Sequence, residues 1–219
     1  MPEPMSEPAS GIILWGFDGS TYVRTVKMLL AEKGVTDFRQ VPLNVLEGEP
    51  KQPEHLERHP FGKVPVLDHD GMRILETSAI VRYLNDVLPG PSLVPATPKD
   101  RARMDMAVGL TDSYGYGALV GGVAAYHLFP GFVGGQNDDA RTAGIEAGRK
   151  VLQLAMQTRG AQPFIAGTLS LAELYLAPML SYVALTPDAA AVLDVPGLAE
   201  WWDRVQALPS YQETQPNFG

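Results

Sequence analysis

Cysteine is absent from this chain of 219 residues. Without a thiol the protein has no disulfide scaffold, no thiolate metal site and no cysteine nucleophile. Enzyme classes that depend on a cysteine of their own are therefore excluded.

Positive charge is also scarce. The chain has 17 Lys and Arg against 25 Asp and Glu, which gives a formal net charge of −8. Nucleic-acid binding needs a basic surface, so we expect no nucleic-acid partner. No basic cluster lies beside an apolar helical pattern, and we therefore expect no binding to a membrane surface.

Long apolar runs are missing too. No run reaches the roughly 18 residues that a membrane-spanning helix needs. The first ten residues, MPEPMSEPAS, contain no apolar core and do not resemble a signal peptide. We therefore expect a cytoplasmic protein. Hydrophobic residues nonetheless make up 45% of the chain, enough for a sizeable core.

The first 88 residues alternate between strand and helix patterns. Residues 1–10 are proline-rich and polar, which predicts a disordered tail. In residues 11–88, Asp70-Gly71 favours an antiparallel hairpin and Gly34 is suited to end a helix. The predicted strands are 12–15, 38–41, 64–67 and 72–75, and the predicted helices are 21–34 and 76–88. This βαβ-ββα order predicts an α/β domain with a mixed four-stranded sheet.

Residues 89–98 contain four prolines, which predicts a linker between two domains. All later elements, in residues 99–219, are predicted to be helices, so the second domain is expected to be all-α. The predicted helices are 99–129 (one long helix or a kinked pair), 138–159, 171–185 and 197–208. Ser170 and Glu173 form a capping box that predicts the start of the third of these helices.

Three features of the first domain are candidates for ligand binding. A cis bond before Pro65 would leave the backbone of Val64 free to pair with an extended peptide, although only about 5–6% of X–Pro bonds are cis. The pair Glu76-Thr77 begins a helix, and Ser20 precedes another. Helix capping is the commoner role of such residues, so the residues alone favour the ordinary interpretation.

A histidine pair suggests a metal site only weakly. His55 and His59 are four residues apart, but the intervening string is not the zinc-protease pattern, and a third ligand is not evident. We therefore expect no metal.

Together, these features resemble the cytosolic glutathione S-transferase family. The most specific match is FGKVP at residues 61–65 followed by ETSAI at residues 76–80. The resemblance covers nearly the whole chain. It implies a thioredoxin-like N-terminal domain that binds glutathione, and an all-helical C-terminal domain with the electrophile pocket and the contacts of a homodimer.

The family pattern implies how glutathione is held. The residue before a cis proline, here Val64 before Pro65, pairs through its backbone with the cysteinyl part of glutathione. The acidic-hydroxyl pair, here Glu76 and Thr77, binds the γ-glutamyl end. The glycyl carboxylate is assigned to the basic residues that match family positions, Lys51 and Lys63.

The same pattern implies which residue activates the thiol. Gly16 occupies the position of the activating tyrosine in tyrosine-type members, and cysteine-type members are excluded by composition. The string STYVRTV at residues 20–26 resembles the serine-type phi and theta classes, in a bacterial-style member. Ser20 is then the activating residue, with Thr21 as the fallback.

The resemblance says less about the second substrate and the partner subunit. Phe17 and Tyr114 are predicted to line the electrophile pocket. Asp105 is a candidate for a glutathione contact across the subunit interface, although a helix-face pair with Arg101 is the alternative role.

The leading function is conjugation of glutathione to a small hydrophobic electrophile. One alternative keeps glutathione as the co-substrate but changes the reaction to peroxide reduction, dehalogenation or isomerisation. Another is a non-catalytic binding protein with the same fold.

Overall fold

The structure is a computed structural model that describes residues 8 and 10–216. The predicted tail over residues 1–10 lies outside the described residues except for residues 8 and 10. The chain divides into two compact units, Met1–Pro91 with Glu213–Gly219 and Ser92–Gln212.

The first unit is built on a four-stranded sheet in the order β2-β1-β3-β4. The two innermost strands, β1 and β3, run antiparallel, as do β3 and β4, whereas β1 and β2 are parallel. The strands are β1 (Ile12–Trp15), β2 (Arg39–Val41), β3 (Val66–His69) and β4 (Met72–Leu75). The predicted mixed sheet and βαβ-ββα order are confirmed.

Helices α1 (Thr21–Glu32) and α3 (Thr77–Val87) pack against each other in this unit. Their contact is apolar, because both helices bury a broad hydrophobic stripe. The buried side chains include Val26, Leu29, Leu30, Ile80, Val81 and Leu84. A short 3₁₀ turn (Glu49–Lys51) and α2 (Pro53–Leu56) precede β3.

The predicted element boundaries differ from the structure at the two places that matter for the site. The strand predicted from residue 64 begins at Val66, after Pro65, whose missing N–H cannot contribute to the sheet. The helix predicted from residue 76 begins at Thr77, because Glu76 has a backbone φ of +68°.

The second unit is helical, as predicted, apart from isolated bridges between residues 164 and 168. Its helices are α4 (Pro98–Leu110), α5 (Ala125–Leu128), α6 (Asp138–Arg159), α7 (Leu171–Val183), α8 (Ala189–Leu193), α9 (Leu198–Gln206) and α10 (Pro209–Glu213, whose last residue belongs to the first unit). A 3₁₀ turn spans Pro130–Val133. The composition gave no signal for the short helices α8 and α10.

Between α4 and α5 the chain continues as a π-helix over Thr111–Ala124. Glycines allow this segment to approach α6 closely. A Cβ on Gly122 would lie 3.0 Å from the Cα of Gly144, so the two backbones touch where both side chains are absent.

Helix α7 is buried almost all round, and its capping box is confirmed. The Glu173 carboxylate accepts hydrogen bonds from the backbone N–H of Ile165 (2.7 Å) and from Ser170. Across the described residues, no helix combines the length and apolar character that crossing a membrane requires.

Candidate functional site

The peptide bond between Val64 and Pro65 is cis. Pro65 is buried, and Val64 is half-buried at the entrance of β3. Within the part of the chain that the structure describes, neither the N–H nor the C=O of Val64 has a hydrogen-bond partner. Backbone groups left open at the end of a strand can pair with an extended peptide.

Glu76 lies beside the open backbone groups of Val64. Leu75, which precedes Glu76, pairs with Val66 at the start of β3. The side chain of Glu76 is 74% exposed and does not cap α3. A positive φ is uncommon for a residue with a side chain and costs about 1–3 kcal/mol. The ordinary capping role is therefore not realised, and the carboxylate faces solvent.

Thr77 is the first residue of α3 and is 8% exposed. Its backbone N–H belongs to the first turn, where amides have no partner inside the helix. The arrangement therefore offers an anion a hydroxyl and helix-terminal amides directly beside the Glu76 carboxylate.

Three side chains contact the backbone of residues 61–64, which we call the Val64 loop. Lys51 Nζ donates to the C=O of Phe61 at 2.8 Å. His55 Nε2 lies 2.8 Å from the C=O of Lys63, and His59 Nδ1 accepts from the N–H of Phe61 at 3.3 Å. The ammonium groups of Lys51 and Lys63 are both on exposed residues.

Gly62 is required in this loop for two reasons. Its φ is +58°, a conformation that favours glycine. In addition, a Cβ at this position would lie 2.5 Å from the C=O of Pro50. A larger residue at position 62 would therefore have to displace the loop.

Ser20 caps α1. Its Oγ accepts from the N–H of Val23 at 3.4 Å, and its own backbone is extended. The Ser20 hydroxyl donates to no group among the residues that the structure describes, so its proton is available to a ligand. The ring of Phe17 lies against Gly19, where a Cβ would come within 2.3 Å of it.

Thr21 differs from Ser20 in accessibility. Its residue is 5% exposed, and its Oγ1 is fully buried without a hydrogen-bond partner in the described part of the chain. Ser20 is half-buried instead.

The remaining predicted residues are placed as follows. Phe17 is half-buried in the first unit. Tyr114 is 62% exposed on the π-helical segment of the second unit, and Asp105 is exposed on α4.

The two histidines were considered only as metal ligands in the sequence, and this missed their position beneath the loop. His55 and His59 are 1% and 2% exposed. His59 Nε2 lies 3.9 Å from Glu76 Oε1. Burial lowers the pKa of His59 below its ordinary value, although the charge of Glu76 acts in the opposite direction. In the described ranges, His, Cys, Asp and Glu form no group of three or more that could hold a metal ion.

Comparisons with known proteins find relatives that match most of this chain. The sequence model of the family "Glutathione S-transferase, N-terminal domain" matches residues 10–86. Glutathione S-transferase 3 of Zea mays is 30% identical over 207 residues, which cover 92% of this chain and 91% of the relative.

Solved structures extend the likeness to both units. Glutathione transferase F7 from Populus trichocarpa has a TM-score of 0.84 at 26% identity and covers 94% of this chain and 100% of its own. Glutathione S-transferase I from mais, solved in complex with an atrazine glutathione conjugate, has a TM-score of 0.80 at 28% identity, with coverages of 94% and 96%.

Proposed function

We propose a residue-level mechanism for this chain, which belongs to the glutathione S-transferase family and is a transferase enzyme with glutathione as its co-substrate. Its first unit carries the family's thioredoxin-like fold. The reaction is conjugation of glutathione to an electrophile. The relatives above are named as transferases, which favours conjugation over peroxide reduction, dehalogenation, isomerisation or binding without catalysis.

Glutathione binding depends on one observation above all. The unpaired backbone of Val64 lies at the same end of the β3–β4 pair as the carboxylate of Glu76. This carboxylate does not cap α3 and faces solvent. In our proposal Val64 pairs with the cysteinyl residue of glutathione as an added strand. Glu76 then binds the γ-glutamyl ammonium, and Thr77 binds the neighbouring carboxylate through its hydroxyl and helix-terminal amide.

The glycyl carboxylate is assigned to Lys51 and Lys63. Both residues are exposed on the segments that lead into the Val64 loop. The Lys63 side chain has no ion pair within the described residues, so its charge is available to an anionic ligand. Lys51 contributes a second charge while it also holds the C=O of Phe61.

Ser20 is assigned the activation of the thiol. A free thiol has a pKa of about 8.5, so only a few per cent is ionised at neutral pH. A hydrogen bond donated to a charged group contributes about 1.5–3 kcal/mol, and a helix N-terminus about 0.3–1 kcal/mol. At about 1.36 kcal/mol per unit, the two together lower the thiol pKa by about 1.5–3 units. Ser20 acts as a donor and keeps its own oxygen protonated.

Thr21 is a poor substitute for Ser20 in this role, because its hydroxyl is fully buried. The assignment of Ser20 therefore depends on accessibility as well as on the match to the family pattern.

Other roles remain proposals from the sequence. Phe17 and Tyr114 contact a small hydrophobic electrophile, and Asp105 reaches glutathione from the partner subunit. Residues 11–88 and 99–219 form the two domains, joined by 89–98.

We place the protein in the cytoplasm as a homodimer. The dimer follows from the family resemblance, and the ring of Phe61, 74% exposed, is accessible to a contact of that kind. Light scattering should give twice the chain mass of 23.7 kDa, and a mass of one chain would reject the dimer.

The binding proposal is tested by calorimetric titration of glutathione into the Glu76→Gln variant. Loss of a charge-assisted hydrogen bond, about 1.5–3 kcal/mol, should weaken binding about 10- to 100-fold. The control is Glu57→Gln, which removes the same charge from an exposed residue just after the end of α2. Its affinity for glutathione should equal that of the parent. Equal affinity of Glu76→Gln and the parent would refute the role of Glu76.

A further inference from the structure

His59 occupies the space between the Val64 loop and Glu76. Its ring is 2% exposed, and its two nitrogens face different partners: Nδ1 faces the N–H of Phe61, and Nε2 faces Glu76 Oε1. We propose that His59 is a positioning residue that orients the Glu76 carboxylate toward the glutathione ammonium. This inference rests on the binding role proposed for Glu76.

The contact with Phe61 sets the tautomer of the ring. Because the N–H of Phe61 donates to Nδ1 at 3.3 Å, Nδ1 must carry a lone pair. A neutral imidazole then has its proton on Nε2, the nitrogen that faces Glu76. The separation of 3.9 Å between Nε2 and Oε1 is too long for a direct hydrogen bond. Hydrogen bonds of this kind are often long before the substrate binds and shorten in the complex.

A neutral donor suits this position better than a charged one. A lysine or arginine beside Glu76 would neutralise the carboxylate and compete with the ligand ammonium. His59 instead orients one oxygen and leaves the negative charge of Glu76 in place. Burial keeps the ring neutral because it lowers the pKa of His59, and the nearby His55 and Lys63 act in the same direction against Glu76.

The Glu76 side chain needs such a contact, because few other groups hold it. It is 74% exposed, and within the described residues its carboxylate makes no hydrogen bond. A freely rotating carboxylate loses conformational freedom when it binds, and this loss opposes affinity. The contact with Phe61 holds the imidazole in place. The hydrogen bond that Nε2 then donates to Glu76 in the complex offsets part of that loss.

Two substitutions of His59 separate its two contacts. The terminal amide atoms of glutamine are as many bonds from Cα as the Nε2 of histidine. Those of asparagine are as many bonds from Cα as the Nδ1 of histidine. His59→Gln therefore keeps a donor for Glu76, whereas His59→Asn keeps only the acceptor for Phe61. We expect His59→Asn to raise the KM for glutathione about 3- to 10-fold, with kcat unchanged. His59→Gln should stay within about 2-fold of the parent.

His69 provides a matched control. It is also buried, at 8% exposure, and its Nε2 lies 3.6 Å from the carboxylate of Asp70. It lies at the other end of the hairpin, where His69 pairs with Met72. His69→Asn should lower stability without changing the KM for glutathione. An equal rise in KM for His69→Asn and His59→Asn would overturn the inference, because any buried histidine would then have the same effect.

The double variant His59→Asn/Glu76→Gln tests whether His59 acts through Glu76. In the Glu76→Gln background the His59 substitution should add no further loss of glutathione affinity. An undiminished effect there would show a structural role and overturn the inference, while the binding role of Glu76 would stand. If Glu76→Gln alone leaves affinity unchanged, the proposed function of Glu76 fails first, and this inference fails with it.

A measurement on the parent protein avoids any folding defect of the variants. Nitrogen NMR of histidine-labelled protein at neutral pH should show His59 protonated at Nε2 and unprotonated at Nδ1. Protonation at Nδ1 would overturn the inference without further experiments.

Discussion

Ser20 and Glu76 each immediately precede a helix, but they behave differently there. Ser20 has an extended backbone, and its side chain caps α1. Glu76 has a φ of +68°, and its side chain leaves α3 uncapped. Hydroxyl and acidic residues are both common at helix starts, for capping and for dipole reasons, so the sequence did not reveal this difference. The difference lies in a single backbone angle, which follows from how the chain leaves β4 and enters α3.

The backbone at Glu76 leads to a prediction about stability. Glycine tolerates a positive φ with less strain than alanine does. Glu76→Gly should therefore be more stable than Glu76→Ala by about 1 kcal/mol, while both lose affinity for glutathione. Urea unfolding measures the difference.

Ser78, an exposed residue inside the same helix, is the control for this comparison. There the order should reverse, with glycine about 1 kcal/mol less stable than alanine. A Glu76→Ala variant as stable as Glu76→Gly would contradict the account of strain at this position.

At the scale of elements, helix boundaries that carry a polar signal were predictable from sequence. The range 138–159 matches α6, and the capping box marks the start of α7. The close approach of the π-helical segment to α6 was not predictable, because it depends on Gly122 and Gly144, which lie in different helices. Local propensity has no access to such a contact.

A polar junction in the second unit shows the same dependence on distant partners. Asp188, just before α8, accepts a hydrogen bond from His127 Nε2 at 2.7 Å. It also accepts from Arg141 Nε at 2.6 Å and from Arg141 Nη2. Its side chain is 7% exposed. The hydrogen bonds from Arg141, and then those from His127, hold the pKa of Asp188 below its ordinary value.

This junction predicts a pH-dependent loss of stability. The stabilisation is complete above the unfolded-state pKa of about 3.9 and is lost as the pH falls through the lower folded-state pKa. At neutral pH, Asp188→Asn should cost about 1–3 kcal/mol. The difference from the parent should shrink once the pH falls below about 4. Denaturant unfolding at several pH values measures this.

Asp194→Asn serves as the control, because Asp194 is exposed at the end of α8. It should change stability by less than about 0.5 kcal/mol at any of these pH values. A constant deficit for Asp188→Asn across the pH range would contradict the electrostatic explanation.

At the scale of the whole molecule, the absence of cysteine excludes enzymes that depend on a cysteine of their own. The excess of acidic residues argues against a nucleic-acid partner. The strand order and the helical second unit could be predicted, because both depend on hydrophobic periodicity and turn residues. The supporting role of His55 and His59 could not, since it depends on a loop that folds back over α2. Their spacing was considered only for a metal site, which the sequence disfavoured, whereas their burial beneath the Val64 loop indicates a supporting role.

The proposed mechanism needs two separate segments of the first unit to act on one ligand. In this proposal the Val64 loop and Glu76 hold glutathione, and Ser20 at the start of α1 stabilises the thiolate by a hydrogen bond. Removal of the Ser20 hydroxyl should therefore affect the thiol without releasing the ligand.

The most direct test is an ultraviolet titration of the glutathione thiolate bound to the parent protein and to the Ser20→Ala variant. In the parent, the bound thiol should have a pKa about 1.5–3 units below the free value of about 8.5. In Ser20→Ala the pKa should rise by about 1–2 units, with glutathione affinity within about 3-fold of the parent. An unchanged pKa with unchanged turnover would contradict the assignment of Ser20 and leave the enzyme without its proposed activating group.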